Sequence, residues 1–519
     1  VEIYGFIPRG YEGLLVRVEV DVRRGIPGVD IVGLAGSAVV EARERVRVAY
    51  RNSGLEFPRE RILVNLAPAD VKKTGAVFDL AIAMAIGAVA SGLRGPERCL
   101  VLGELELSGN VRPVTGVLAA VAAAALEEIE HVLVPAQNFG EATALGEGYV
   151  QGVSTLVEAF HSAPRLLEKQ TGLNEPSRPF SRADSRSGEN VVAKPEGIPL
   201  DFSAVRGQPF LRRALELACA GGHHVLLFGP PGCGKTMSAR RVSTLMPRLT
   251  RAQSLEVTRI HSLAGALGPD SSLLRHPPVR MPHHTASLEG MIGGGRPALP
   301  GEASLAHHGV LVMDEAGEFR KNVLQSLREP LEEGLVRIVR AGQTTWFPAS
   351  FQLVMATNPC PCGNLGSARK VCVCDRESIR RYWRKIGGAL LDRIDIRIPV
   401  RPPGPAEMEQ SGESSAAMAR RVASARARQL RRYGSAVLNG RAEACLVEES
   451  CKISPASRSA LREATERLSL SSRAYTAVLR IARTIADLEG SDRVEEDHLL
   501  EAIQHRRYGE GDLYWNLAG

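Results

Sequence analysis

Short apolar runs, each bounded by charged or glycine-containing stretches, dominate the first third of the chain. Val16 to Val20 alternates weakly and predicts a strand, and Val29 to Val32 predicts another. Ile62 to Leu66, Val101 to Leu107 and His131 to Val134 read as further strands. Val39 to Tyr50 is charged but helix-compatible, whereas Phe78 to Val89 predicts a buried helix. The alanine-rich stretches 81–90 and 117–126 are too short for a membrane span and also read as buried helices. Residues 1–165 are thus expected to form an α/β or α+β domain with its own core. Residues 166–199 are rich in Ser, Arg, Glu and Pro and poor in apolar anchors, which predicts a flexible linker. Val225 to Phe228, Gly309 to Met313 and Phe351 to Met355 are apolar runs within a third unit, 200–400. A joint at 401–415, rich in Pro, Gly, Ser and Glu, leads to a helix-forming region, 416–519.

A chain of 519 residues exceeds one compact core and suits two or three domains. The N-terminus lacks a basic segment followed by an apolar core and a cleavage site, so secretion is not expected. Four of the nine cysteines cluster, which argues against a disulfide framework and, with the missing leader, predicts a cytoplasmic protein without a membrane partner. The net charge of +7 is compatible with nucleic acid without requiring it.

Gly229-Pro230-Pro231-Gly232-Cys233-Gly234-Lys235-Thr236 fits the phosphate-binding pattern G-x-x-x-x-G-K-[ST] at every position. It follows the apolar run Val225 to Phe228, as the motif requires. Backbone N–H groups of such a loop cradle phosphate oxygens, Lys235 reaches the β- and γ-phosphates, and Thr236 holds Mg2+. The second apolar run ends in Asp314-Glu315, two carboxylates at a strand's end. Asp314 suits the metal and Glu315 suits the attacking water. A structural glycine loop beside a solvated acidic turn would leave Lys235 and Thr236 unexplained.

Longer segments carry a resemblance. Gly207-Gln208, Arg280-Met-Pro-His283-His284-Thr285, the run from Gly301 to Gly309, Met355-Ala-Thr-Asn358-Pro359-Cys360-Pro361-Cys362-Gly363 and Leu390-Leu391-Asp392-Arg393-Ile394-Asp395 resemble the magnesium-chelatase-like branch of the AAA+ ATPases. The whole chain, apart from the linker, resembles the bacterial ComM/YifB family. The resemblance implies an AAA+ core with a parallel sheet and a C-terminal helical lid. It implies that Asn358 positions the hydrolytic water, that Arg393 acts as an arginine finger on a neighbour's nucleotide, and that Arg473 is the second sensor of the lid. Arg480 and Arg483 lie seven and ten residues further on and could share its helix face.

Two Cys-x-Cys pairs, Cys360/Cys362 and Cys372/Cys374, lie nine residues apart. Four thiolates suit a structural tetrahedral Zn2+, although the spacing within each pair is tighter than usual. An iron–sulfur cluster and four unliganded thiols remain alternatives. His283-His284 and His307-His308 flank the glycine-rich stretch Gly290 to Gly295. Adjacent histidines need an unusual turn to face one metal, and the family resemblance implies a loop contacting polymer substrate or a neighbouring subunit; core or turn histidines are the alternative.

Gly103-Glu104-Leu-Glu-Leu-Ser108-Gly109-Asn-Val-Arg-Pro-Val-Thr-Gly116 and Leu66-Ala-Pro68-Ala-Asp-Val-Lys72-Lys73-Thr-Gly75 resemble the proteolytic domain of Lon, a ribosomal S5-like fold. Lon uses a Ser–Lys dyad. The corresponding positions here hold Val77 and Leu118, so no peptidase is expected. Among functions, a hexameric DNA motor is what the family resemblance implies: a ring helicase promoting branch migration when incoming DNA recombines during natural transformation, alongside recombination proteins. Arg420, Arg421, Arg426, Arg428, Arg431 and Arg432 offer salt-dependent, sequence-independent contacts to single-stranded or branched DNA, or solvate a helix. A protein-remodelling ATPase and a chelatase subunit are the alternatives; a non-motor scaffold would leave the paired carboxylates idle.

Overall fold

The structure, a computed structural model, describes residues 2–91, 98–146, 148–167, 200–268, 271–340, 343–367, 370–409, 411–468, 470–506 and 508. The linker expected over 166–199 lies outside them, except for two residues that end the helix Leu156–Leu167.

The N-terminal module is built on a seven-stranded mixed sheet, in the order Gly28–Val32, Arg61–Ala67, Glu12–Arg23, Glu2–Arg9, Arg98–Val101, His131–Pro135, Tyr149–Val153. Alternation along the strands divides the core between two faces. Leu100 and Phe6 turn to the helix Val117–Leu126, while Cys99, Val101, Ile3 and Ile7 turn to the helix Asp79–Ala90. That second helix is buried from Asp79 to Ala88, as its uniform apolarity predicts. Its one charge, Asp79, is held by Arg45 at 2.7 and 2.9 Å. The strand expected over Val101 to Leu107 is not continuous. Arg98–Val101 belongs to the large sheet, whereas Glu104–Leu105 pairs with Val111–Arg112 in a separate ribbon. The break falls at Leu102 and Gly103: Leu102 N–H still donates to Leu133 O of the large sheet at 2.9 Å, whereas Gly103 N–H turns to Val77 O at 3.2 Å, so the two halves find different partners.

The second module carries a five-stranded parallel sheet, ordered Val279–Arg280, Val310–Met313, Gln352–Thr357, Val225–Phe228, Ile396–Pro399. The three strands Val310–Met313, Gln352–Thr357 and Val225–Phe228 are buried at every position, as expected when helices cover both faces. Leu227, Val312, Val354 and Ala356 face a core shared with the helices Pro209–Gly221, Ser415–Tyr433 and Ser472–Glu489. The 401–415 joint is tied down at its end, where Ser415 Oγ accepts the Phe202 N–H at 2.9 Å.

The opposite sheet face, with Phe228, Met313 and Met355, belongs to the same apolar core as Phe6, Val117 and Leu263. The two modules therefore meet in a shared core rather than only through a chain connection. Tyr11 N–H donates to Trp346 O at 2.9 Å, and the Arg259 guanidinium lies 4.3 Å from the Tyr11 ring centroid. Gly116 N–H donates to Ser262 O at 3.2 Å, and Ser262 Oγ donates to the buried Glu141 carboxylate. Among the described residues, no helix is long and apolar enough to cross a membrane.

Candidate nucleotide site

Strand Val225–Phe228 runs into the glycine loop, which opens onto the helix Lys235–Arg241. Gly229 has no alternative: a Cβ there would lie 2.1 Å from Val400 O. Gly234 enters the helix at φ 89°, a conformation that disfavours other residues. The loop encloses a cavity of about 400 Å3, lined by Pro231 to Met237, Asp314, Glu315 and Ala356 to Asn358. Nearly all the motif residues expected from the sequence thus converge, Gly229 and Pro230 contributing carbonyls just behind the lining.

Lys235 Nζ donates to Gly229 O at 2.6 Å and Pro230 O at 2.9 Å, and lies 3.4 Å from Asn358 Oδ1. Burial pushes its pKa below the usual lysine range, while the nearby Cys233, Asp314 and Glu315 oppose that shift. A buried ammonium held by neutral carbonyl and amide oxygens and, at 3.7 Å, by Cys233 Sγ is suited to an anionic ligand. Thr236 Oγ1 donates to Asp314 Oδ2 at 2.7 Å. These hard oxygen donors, Thr236 Oγ1 and the Asp314 carboxylate, would hold Mg2+, whose charge would offset that of a phosphate ligand.

Glu315 follows Asp314 with φ 51° and ψ 45°, so the two carboxylates diverge. Its side chain is 59% exposed, and Oε2 lies 3.4 Å from His284 Nδ1. His284 is a site neighbour that sequence reasoning assigned to a substrate loop. Its signal was placement just beyond the strand Val279–Arg280, which pairs with Val310–Met313, the strand that leads into Asp314.

Arg393 and Arg473 do not line the cavity. They come together elsewhere, both bonded to Glu332, with Arg473 Nη2 at 2.8 Å from Oε1. Arg393 pairs with neither Asp392 nor Asp395; the latter holds His223 at 2.9 Å. Arg480 and Arg483, on the same helix as Arg473, each have partners of their own. Arg480 donates to Ala442 O at 2.6 Å, and the fully buried Arg483 reaches Asp487 at 3.1 Å.

The second histidine pair fits the core-or-turn alternative. His308 adopts φ 54°, the unusual turn that lets both rings of the second pair reach Glu256, at 3.1 and 2.7 Å. His307 Nδ1 accepts the Ser350 N–H at 2.9 Å, which fixes its proton on Nε2. That nitrogen donates to Glu256 and is no metal ligand, so the cluster is a hydrogen-bonded knot. Burial brings the His307 pKa down to about 4. The stretch Gly290 to Gly295 is not an open loop either: the helix Leu288–Ile292 leads into Gly293–Gly294, which pairs with Leu299–Pro300. Of the six C-terminal arginines, Arg421 bonds Glu216 and Glu413, Arg426 bonds Cys219 O, Arg428 bonds Asp492 and Arg432 bonds Asp487, which leaves Arg420 and Arg431 as the exposed pair.

A parallel sheet in this order, with the loop, the acidic strand end and Asn358 around one cavity, defines a P-loop protein of the AAA+ class. Family models agree: magnesium chelatase, subunit ChlI, matches residues 201–408; subunit ChlI of Mg-chelatase, 18–138; and the ChlI C-terminal model, 412–506. YifB of Escherichia coli, an uncharacterised protein, is 38% identical over 502 residues, 95% of this chain and 94% of its own. Competence protein ComM of Haemophilus influenzae is 37% identical over 517 residues, 97% of each chain. Lon protease 2 of Bacillus subtilis matches at 27% identity over 229 residues, 38% of this chain and 40% of its own. The chain belongs to the ComM/YifB family of magnesium-chelatase-like proteins.

Proposed function

We propose that the protein hydrolyses ATP, with Mg2+, and uses the energy as a ring-shaped motor on branched DNA. The observation that carries the ATPase reading is the single cavity joining Lys235, Thr236, Asp314, Glu315 and Asn358. Glu315, the carboxylate not engaged by Thr236, draws the proton from the attacking water, and Asn358 orients that water. Lys235 exchanges its loop carbonyls for phosphate oxygens. Arg393 and Arg473, adjacent to each other and outside the cavity, suit a neighbouring copy's γ-phosphate, which requires a closed ring, a hexamer in this reading. The C-terminal helices form the lid, and residues 1–165 serve assembly or substrate contact. Structural Zn2+ at the four cysteines completes the cofactor set.

The DNA part rests on relationship to a competence protein and on the net charge of +7. Branch migration during recombination of incoming DNA is the step that the family resemblance implies for such a ring motor. The test is ATPase activity with and without single-stranded, duplex and branched DNA, together with a junction-displacement assay. Stimulation by branched DNA and ATP-dependent displacement support the motor. Stimulation by unfolded protein alone would replace it with a protein-remodelling role.

A further inference from the structure

The segment following Asn358 brings its four cysteines to one point. The sulfur atoms of Cys360, Cys362, Cys372 and Cys374 all lie within 4.8 Å of one another. Cys360 and Cys362 are 3.4 Å apart, and Cys372 lies 3.6 Å from each. A tetrahedral Zn–S distance of about 2.3 Å gives an S–S edge of about 3.8 Å. The observed separations are close to that edge, and they leave room for one ion and not for a multi-atom iron–sulfur core. N–H groups of Asn364 and Val373 are directed at Cys362, and that of Leu365 at Cys360. Such donors stabilise metal-bound thiolates and orient them. Thiolates in a closed tetrahedral set select zinc over harder ions.

The position of this cluster ties it to the nucleotide cavity. Cys360 lies two residues beyond Asn358, and Cys374 directly precedes Asp375, the N-cap of the helix Arg376–Ile386. Trp383 Nε1 of that helix donates to Pro359 O at 3.1 Å, and Tyr382 OH lies 2.8 Å from Thr357 Oγ1. Gly363 N–H donates to Cys360 O at 3.0 Å. A Cβ on Gly363 would stand 3.2 Å from Pro231 of the phosphate loop and 3.7 Å from Asn358 Cγ. The turn closed by the cysteines is therefore the wall behind Asn358.

We propose that Cys360, Cys362, Cys372 and Cys374 bind one Zn2+ as a closed tetrathiolate site, and that this ion clamps the turn that positions Asn358 for ATP hydrolysis. The first half stands on the sulfur geometry alone; the second rests on the ATPase reading above. Zinc here is a positioning group and touches no substrate. Its loss frees the turn while leaving Lys235 and Thr236 in place, so turnover suffers and nucleotide affinity does not.

The test begins with elemental analysis of full-length protein purified without added metal. About one zinc per chain is expected, released by a mercurial thiol reagent and retained in the Lys235→Ala variant. Zinc far below stoichiometry with all thiols reduced, or stoichiometric iron in its place, overturns the site. The Cys372→Ser, Cys374→Ser double variant should lose zinc. Its affinity for a fluorescent ATP analogue should stay within about twofold while kcat falls about 10- to 100-fold, the scale set by small misplacements of a catalytic group. Should that variant fail to fold, wild type stripped with the mercurial and then freed of it by excess dithiothreitol, with and without Zn2+ added back, gives the same comparison, and kcat should return only with Zn2+. A zinc-free protein with unchanged kcat refutes the clamp. Zinc in a protein without turnover would uphold the site while refuting the ATPase reading instead.

Discussion

Replacing Glu332 by glutamine tests whether the two arginines beside it are held in reserve. In the single chain one carboxylate binds both Arg393 and Arg473. If they serve a neighbour's nucleotide, ring formation must break these bonds. The Arg473 side chain is 54% exposed and that of Glu332 43%, so their 2.8 Å pair contributes about 0.2–1 kcal/mol after solvent screening. Arg393 is only 9% exposed, which places its pair at the upper end of that range. Together the restraint amounts to about 1–2 kcal/mol, a factor of about 5–30 in an equilibrium constant. Glu332→Gln keeps the shape and removes the charge. The protein concentration giving half-maximal ATPase activity should therefore fall about 5- to 30-fold, with kcat at saturation unchanged. Turnover measured across a dilution series, alongside mass photometry of the assemblies, reads both quantities. An unchanged midpoint refutes the restraint. A loss of kcat at saturating protein would show that Glu332 positions the arginines for catalysis.

Other outcomes follow from the site and the core. Glu315→Gln should retain nucleotide in equilibrium titration while turnover falls about 10²–10⁴-fold, the usual contribution of a general base. Lys235→Ala should weaken nucleotide binding itself, read by the same titration; unchanged affinity would refute its assignment. No cleavage of an unfolded protein substrate is expected, because Val77 and Leu118 can supply neither nucleophile nor base. Glu256 is drawn down to about 2 mainly by its hydrogen bond to His307. A depressed acid stabilises the fold above its ordinary value and loses that contribution as pH falls. Thermal melts of wild type against Glu256→Gln should therefore diverge above about pH 4.5 and converge towards pH 2.

The nucleotide cavity was legible because its chemistry is local. Eight consecutive residues dictate the loop, and an apolar run ending in two acids dictates the strand end. Long-range partners were not legible. Nothing near Arg393 in the chain announces Glu332, sixty-one residues away, or Arg473 beyond it. His284 was misplaced because strand order, not sequence order, sets it against Glu315. The expected strand from Val101 to Leu107 failed for a related reason: apolar content says that a segment is buried but not where its direction changes. The arginine-rich stretch at 420–432 looked like an external charge, yet much of it anchors one helix to its neighbours through Glu216, Cys219 and Asp487. Composition records charge and leaves its destination open.

Joining Phe6, Val117 and Leu263 to Phe228 and Met313 in one apolar core has a thermodynamic consequence. Separating the modules would bare that surface to water and strip Glu141 of the Ser262 hydroxyl. Each module keeps a core of its own on its far face, but the shared core couples their stabilities. Heating should melt both in a single calorimetric transition, and nucleotide bound at the phosphate loop should raise the melting temperature of the distant N-terminal sheet as much as that of the sheet it touches.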